Sequence, residues 1–69
     1  MTVQQALQAI VDNQDAPALN YAVNYAKAGL SMSGYELKVQ ILYVLNNISH
    51  WRGPLAKEVR QTLKAGVKE

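Results

Sequence analysis

The sequence predicts an all-α fold, a compact bundle of four short helices whose neighbours are mostly antiparallel. In four segments, apolar residues recur at the three- and four-residue spacings that gather them on one side of a helix. No segment alternates apolar and polar residues for long enough to indicate a strand, and the β-prone stretch 39–44 also carries the helical pattern. The connections are short, which favours antiparallel neighbours within one domain over residues 1–69.

The first two helices are bounded by residues that commonly begin and end helices. Thr2 and Gln5 have the spacing of a capping box, which predicts that the first helix begins there. Its apolar face consists of Val3, Ala6, Leu7, Ile10 and Val11. Asp15 is placed to cap a second helix over residues 16–28, and Gly29 is a typical stop. That second helix repeats an Asn-Tyr-Ala triplet, so that Tyr21 and Tyr25 lie one turn apart on its surface.

The third helix carries apolar residues on two sides. Ser33 and Glu36 have capping-box spacing, and the helix extends to about residue 47–49. One stripe consists of Leu37, Ile41, Val44, Leu45 and Ile48. The roughly opposite stripe consists of Tyr35, Val39, Leu42 and Tyr43. Because a surface helix needs only one apolar stripe, the second one predicts a further contact, either within the chain or with a partner.

The fourth helix separates apolar from basic residues. Pro54 is a favourable first residue, and Ala65-Gly66 closes the helix. The inward face is predicted to consist of Leu55, Ala56, Val59 and Leu63. At about 100° per residue, the basic residues fall within an arc of about 80°. These residues are Lys57, Arg60, Lys64 and Lys68.

The composition excludes most kinds of chemical site. The chain has no cysteine and one histidine, which excludes disulfides, thiolate metal sites and histidine-rich metal sites. The glycines are isolated, so that no phosphate-binding loop is present, and no serine lies in a nucleophile-elbow context. Asp12, Asp15 and Glu36 are already explained by helix ends. We therefore expect a protein that is not an enzyme and has no cofactor, metal or small-molecule substrate.

Charge and hydropathy indicate a cytoplasmic protein that is mildly basic. The net charge is +2, and most basic residues lie from Arg52 onward. The N-terminus lacks the basic region and apolar core of a signal peptide. No apolar run approaches the roughly 20 residues that span a bilayer. We expect no membrane association.

The cluster His50-Trp51-Arg52 has two interpretations. As a ligand or nucleic-acid contact, Trp51 would stack on a base while Arg52 pairs with a phosphate. As a structural feature, Trp51 would cover the small core and Arg52 would cap the end of the third helix.

The basic residues Arg52, Lys57, Arg60 and Lys64 also have two interpretations. A helix with cations on one side can follow a phosphate backbone, and the same residues can simply form a solvated face. The segment from Leu42 to Leu63 permits a helix-turn-helix arrangement. An acidic protein is a third kind of partner for this face.

The segments ALNYAVNYAKAGL, ELKVQILYVLNNISHWRG and AKEVRQTLK resemble short helical proteins of bacterial phages and other mobile elements. The resemblance covers residues 16–64 and implies a small accessory protein inside a bacterial host cell. It supplies no catalytic or binding residues.

The leading expectation is a helical interaction module that self-associates as a homodimer, because two helices carry more apolar surface than a small bundle covers. The expected interface consists of Tyr21, Tyr25, Tyr35, Val39, Leu42 and Tyr43. The alternative is a small DNA- or RNA-binding protein that uses the basic residues of the last helix.

Overall fold

The part of the chain that the structure describes, residues 1–68, is built from helices. In this computed structural model, those residues form four α-helices, one short 3-10 helix and no strand, which confirms the predicted all-α fold. The elements in chain order are α1 (Val3–Asp12), the 3-10 helix (Pro17–Leu19), α2 (Ala22–Gly29), α3 (Gly34–Asn46) and α4 (Pro54–Lys68). Over the same residues, no helix has both the length and the apolar character needed to cross a membrane.

The four α-helices pack as a ring around one core. α1 packs on α2 and α4, and α3 also packs on α2 and α4. α1 and α3 therefore lie diagonally across the bundle, as do α2 and α4. Val3 lies close to Gly66, which shows that the start of α1 is beside the end of α4. This is the arrangement expected for antiparallel neighbours.

The core is apolar, and no polar or charged residue of the described chain is buried in it. Each α-helix contributes residues, and the connections contribute Leu19, Ile48 and Trp51. The core residues are Ala6, Leu7, Ile10, Leu19, Ala22, Val23, Ala26, Ile41, Val44, Ile48, Trp51, Ala56, Val59 and Leu63. The apolar periodicity predicted most of these positions. Burial of a Leu or Ile side chain of this kind stabilises the fold by about 1.5–3 kcal/mol.

The predicted start of the second helix is wrong. Residues 16–21 are not α-helical: Pro17–Leu19 form the separate 3-10 helix, and α2 begins only at Ala22. Ala16 is extended (φ −71°, ψ 123°), because the ring of the following proline disfavours the α conformation there. Asp15 therefore does not cap an α-helix. The short turn buries Leu19 completely before the chain resumes as α2.

One of the two predicted capping boxes is present. The Thr2 N–H donates to Gln5 Oε1 at 2.8 Å, and the Gln5 N–H donates to Thr2 Oγ1 at 3.1 Å. At the start of α3, Ser33 is the N-cap residue, but its side chain makes no capping hydrogen bond, so that no box with Glu36 forms. The next residue, Gly34, has φ +61°, which lies outside the helical region and redirects the chain between Ser33 and the first turn.

Two predictions on α4 are also wrong. Leu55 is 39% exposed rather than inward, since the buried arc of the helix is centred on Val59 and Leu63. The helix does not close at Gly66 but continues to Lys68. Gly66 has a packing role instead: a Cβ atom there would lie 2.8 Å from Val3 Cγ2. The absence of a side chain lets α1 and α4 approach closely.

We predict that the effect of Gly66→Ala on stability depends on the side chain at residue 3, because of this close approach. In the wild-type protein, overpacking against Val3 should cost about 1–3 kcal/mol and offset the gain in helix propensity of about 1 kcal/mol. In a Val3→Ala background the space is open, and the same change should raise the free energy of unfolding by about 0.5–1 kcal/mol. Denaturant titration of the wild type, the two single variants and the double variant measures how strongly the effects of the two substitutions on stability are coupled. Equal effects in both backgrounds would show that the Val3 contact does not constrain residue 66.

Candidate interaction surfaces

The second apolar stripe of α3 is exposed. Tyr35 is 78% exposed, Leu42 48% and Tyr43 49%, whereas Val39 is half-buried. The first stripe lies in the core or packs against it, with Leu37, Ile41, Val44, Leu45 and Ile48. Within residues 1–68, the rest of the bundle therefore covers only one of the two apolar sides of α3. Its outer side faces away from the core and from α1, the helix diagonal to it.

The exposed tyrosines of α2 and α3 meet at the boundary between these helices. The rings of Tyr25 and Tyr43 are stacked, with centroids 5.7 Å apart and planes inclined by 29°. Gln40 Nε2 also donates to the Tyr25 carbonyl oxygen at 2.9 Å and ties α3 to α2. Tyr21, at the N-cap of α2 and one turn before Tyr25, is 78% exposed. The stacked pair thus extends the α3 stripe toward α2.

We call these residues the tyrosine surface. Its members are the six residues predicted from the sequence, Tyr21, Tyr25, Tyr35, Val39, Leu42 and Tyr43. Their exposed parts amount to an area on the order of 500 Å², judged from the surface that aromatic side chains bury. The largest apolar patches of monomeric proteins are of similar size, about 300–600 Å², and are often functional. Tyrosine is also enriched at protein interfaces, where its ring packs and its hydroxyl stays hydrated.

The residues predicted to contact nucleic acid fall into two groups. Arg52, Lys57 and Lys64 are exposed. Arg60 is half-buried, and its Nη1 atom donates to the Trp51 carbonyl oxygen at 2.6 Å. Arg60 therefore has a structural partner within the chain, whereas the other three side chains extend into solvent.

Trp51 belongs to the core, as its structural interpretation predicted. Its side chain is only 8% exposed, which leaves its ring inaccessible for stacking on a base. The arginine that hydrogen-bonds at this end of the bundle is Arg60 rather than Arg52. The sequence contained no local signal for this contact, because its two residues lie on different elements and nine positions apart.

A shallow groove lies between the start of α1 and the end of α4. It encloses about 440 Å³ and is lined by Met1, Thr2, Val3, Gln61, Thr62, Ala65 and Gly66. The Thr2 hydroxyl already accepts a hydrogen bond in the capping box. The lining has no ionisable side chain, and no group of residues suited to hold a metal ion occurs among residues 1–68. The groove gives no indication of chemistry.

We predict that Arg60→Met destabilises the protein, because it leaves the Trp51 carbonyl without this partner. The free energy of unfolding should fall by about 1–2 kcal/mol. Emission from Trp51, the only tryptophan of the chain, should shift to longer wavelength as its packing loosens. The control Lys57→Met changes an exposed residue of the same helix and should alter stability by no more than about 0.5 kcal/mol. Equal losses in the two variants would contradict a structural role for Arg60.

Comparison with known proteins adds no assignment to this geometry. No protein-family model, no curated protein and no solved structure matches this chain. The resemblance to helical proteins of phages and mobile elements stays a prediction.

Proposed function

We propose that this protein is a non-enzymatic helical interaction module that self-associates as a homodimer through the tyrosine surface. The observation that supports this most is the exposure of Tyr35, Leu42 and Tyr43 on the side of α3 that faces away from the core. A merely solvated helix face carries polar and charged residues instead. The proposed setting, a bacterial host cell and a phage or mobile element, depends on the sequence resemblance alone.

A second copy of the chain is the proposed partner because the stripe on α3 is self-complementary. Tyr35, Val39 and Tyr43 are spaced by four residues, so that the order of side chains is the same in both directions about Val39. A two-fold axis through Val39 would place two α3 helices antiparallel, with each Tyr35 opposite Tyr43 of the second copy. Two-fold dimers are the commonest oligomers and require a surface that matches itself in this way.

The size of the surface is compatible with a dimer. One partner of a standard interface buries about 800 Å², and the exposed side chains of the tyrosine surface supply more than half of that area. The remainder would come from the polar edges of α3, as in the rims of known interfaces. Self-association would also add buried surface to a chain that has no disulfide to stabilise it.

We predict that Leu42→Glu gives a folded monomer. Leu42 belongs to the tyrosine surface and is half exposed, so that a charge there should prevent association without disturbing the core. The matched control is Leu55→Glu on α4, which alters a similarly exposed leucine outside that surface. Light scattering behind a sizing column, at several concentrations, should give a dimer for wild type and Leu55→Glu. Circular dichroism of Leu42→Glu should remain helical. A wild-type monomer at every concentration would refute the proposal.

We also predict the geometry of the dimer. The chain has no cysteine, so that a single introduced thiol reports unambiguously on its neighbours. If the two-fold axis passes through Val39, then Val39→Cys should form a disulfide-linked dimer under mild oxidation, since disulfides need Cα atoms within about 7 Å. Leu55→Cys should stay monomeric on a denaturing, non-reducing gel. Efficient linkage of both variants would indicate random collision, and a dimer without Val39 linkage would exclude the antiparallel arrangement.

A further inference from the structure

A second exposed surface lies on α4, and its character differs from that of the tyrosine surface. We define the cationic face as Arg52, Lys57, Lys64 and Lys68, all exposed. The three lysines lie on one side of α4, within an arc of about 40° and a rise of about 16 Å along the helix axis. α4 packs on α1 and α3 and lies diagonally from α2. The cationic face and the stacked tyrosines therefore occupy different parts of the surface.

The charges of this face are not neutralised by neighbours on their own helix. Glu58 is the acidic residue of α4, and the positions three and four residues away from it hold Pro54, Leu55, Gln61 and Thr62. The basic residues instead have one another at those distances, in the pairs 57–60, 60–64 and 64–68. Each such like-charge pair destabilises a helix by about 0.2–0.5 kcal/mol. A polyanion bound along this side would relieve the repulsion.

The N-terminal end of α4 concentrates the positive charge further. Its first turn contains no acidic residue, although acidic residues are favoured there by the positive end of the helix dipole. Lys57 lies in that first turn, and Arg52 directly follows Trp51. Because Arg60 holds the Trp51 carbonyl at 2.6 Å, the segment that carries Arg52 is fixed against α4.

We infer that the cationic face of α4 binds the phosphate backbone of a nucleic acid without reading its sequence. The arc of α4 that the three lysines span contains no apolar residue, whereas the centres of protein interfaces are apolar and depleted in charge. A regular row of cations matches the regular charge of a phosphate backbone. The buried Trp51 cannot stack on bases, so that recognition is electrostatic. This inference is independent of the proposed dimer.

The test compares two variants that have the same net charge. Lys57→Gln/Lys64→Gln removes two cations from the face, and the control Lys27→Gln/Lys38→Gln removes two from other helices. Fluorescence anisotropy with a labelled DNA duplex and a labelled RNA hairpin, over a range of salt concentrations, measures binding. With about four phosphate contacts, wild-type affinity should fall roughly a hundredfold between about 50 and about 200 mM salt. The α4 variant should bind at least tenfold more weakly at low salt and lose about two units of salt slope, while the control stays near wild type.

Several results would overturn the inference. Absence of binding to both probes at tens of micromolar protein and low salt would exclude it. Equal losses in the two variants would attribute binding to net charge rather than to the cationic face. Competition by polyglutamate as effective as that by DNA, charge for charge, would show that the face accepts any polyanion, including an acidic protein. Light scattering of the α4 variant separates these outcomes from failure of the dimer proposal, because neither of its two substitutions lies on the tyrosine surface.

Discussion

A helix in a ring of four can bury only one side, and α3 carries apolar residues on two. On one side, Ile41 and Val44 are fully buried, and α3 packs there against α2 and α4. Since α1 lies on the diagonal, no helix of the described chain packs across the other side, to which α2 contributes the Tyr25 ring that stacks on Tyr43. The exposure of the tyrosine surface is therefore a consequence of the topology rather than of loose packing.

The same limit on size explains how the end of the bundle is closed. A small core has few residues to spare, and Trp51 covers it from the connection between α3 and α4 rather than from a helix. An irregular segment at that position leaves backbone carbonyls that require partners. Arg60, on the next helix, is the partner of the Trp51 carbonyl, which lies nine residues earlier in the sequence. Because of this contact, Arg60 is less available than the lysines of α4 to bind a ligand. The contact also fixes the backbone next to Arg52.

Periodicity and local capping chemistry predicted those features that depend on neighbours in sequence. The existence of α1, α3 and α4, the core stripe of α3 and the Thr2 cap all followed from spacing alone. The errors arose where another constraint prevailed. Pro17 disfavours the early start of the second helix, and Gly34 follows Ser33 with a positive φ. Gly66 lies inside α4, where the absence of a side chain leaves room for Val3. The contact of Arg60 with Trp51 was not predictable, because no local pattern encodes it.

The composition of the tyrosine surface was predictable, but its exposure was not. The sequence established that Tyr35, Val39, Leu42 and Tyr43 share one side of a helix, yet it could not establish whether another helix of the chain covers them. That depended on the order of helices around the ring. The stacking of Tyr25 on Tyr43 depended on it as well, since the two residues belong to different helices.

If both proposals hold, the two surfaces together determine the affinity for nucleic acid. A single cationic face offers about four phosphate contacts, which gives weak and strongly salt-dependent binding. A dimer would carry two such faces, and the second would bind at the high effective concentration that the first creates. By thermodynamic linkage, a nucleic acid long enough to engage both faces would strengthen dimerisation by the same factor. The tyrosine surface would then raise the affinity for nucleic acid without contacting it. The small charge of each chain would be sufficient for binding because the dimer carries it twice.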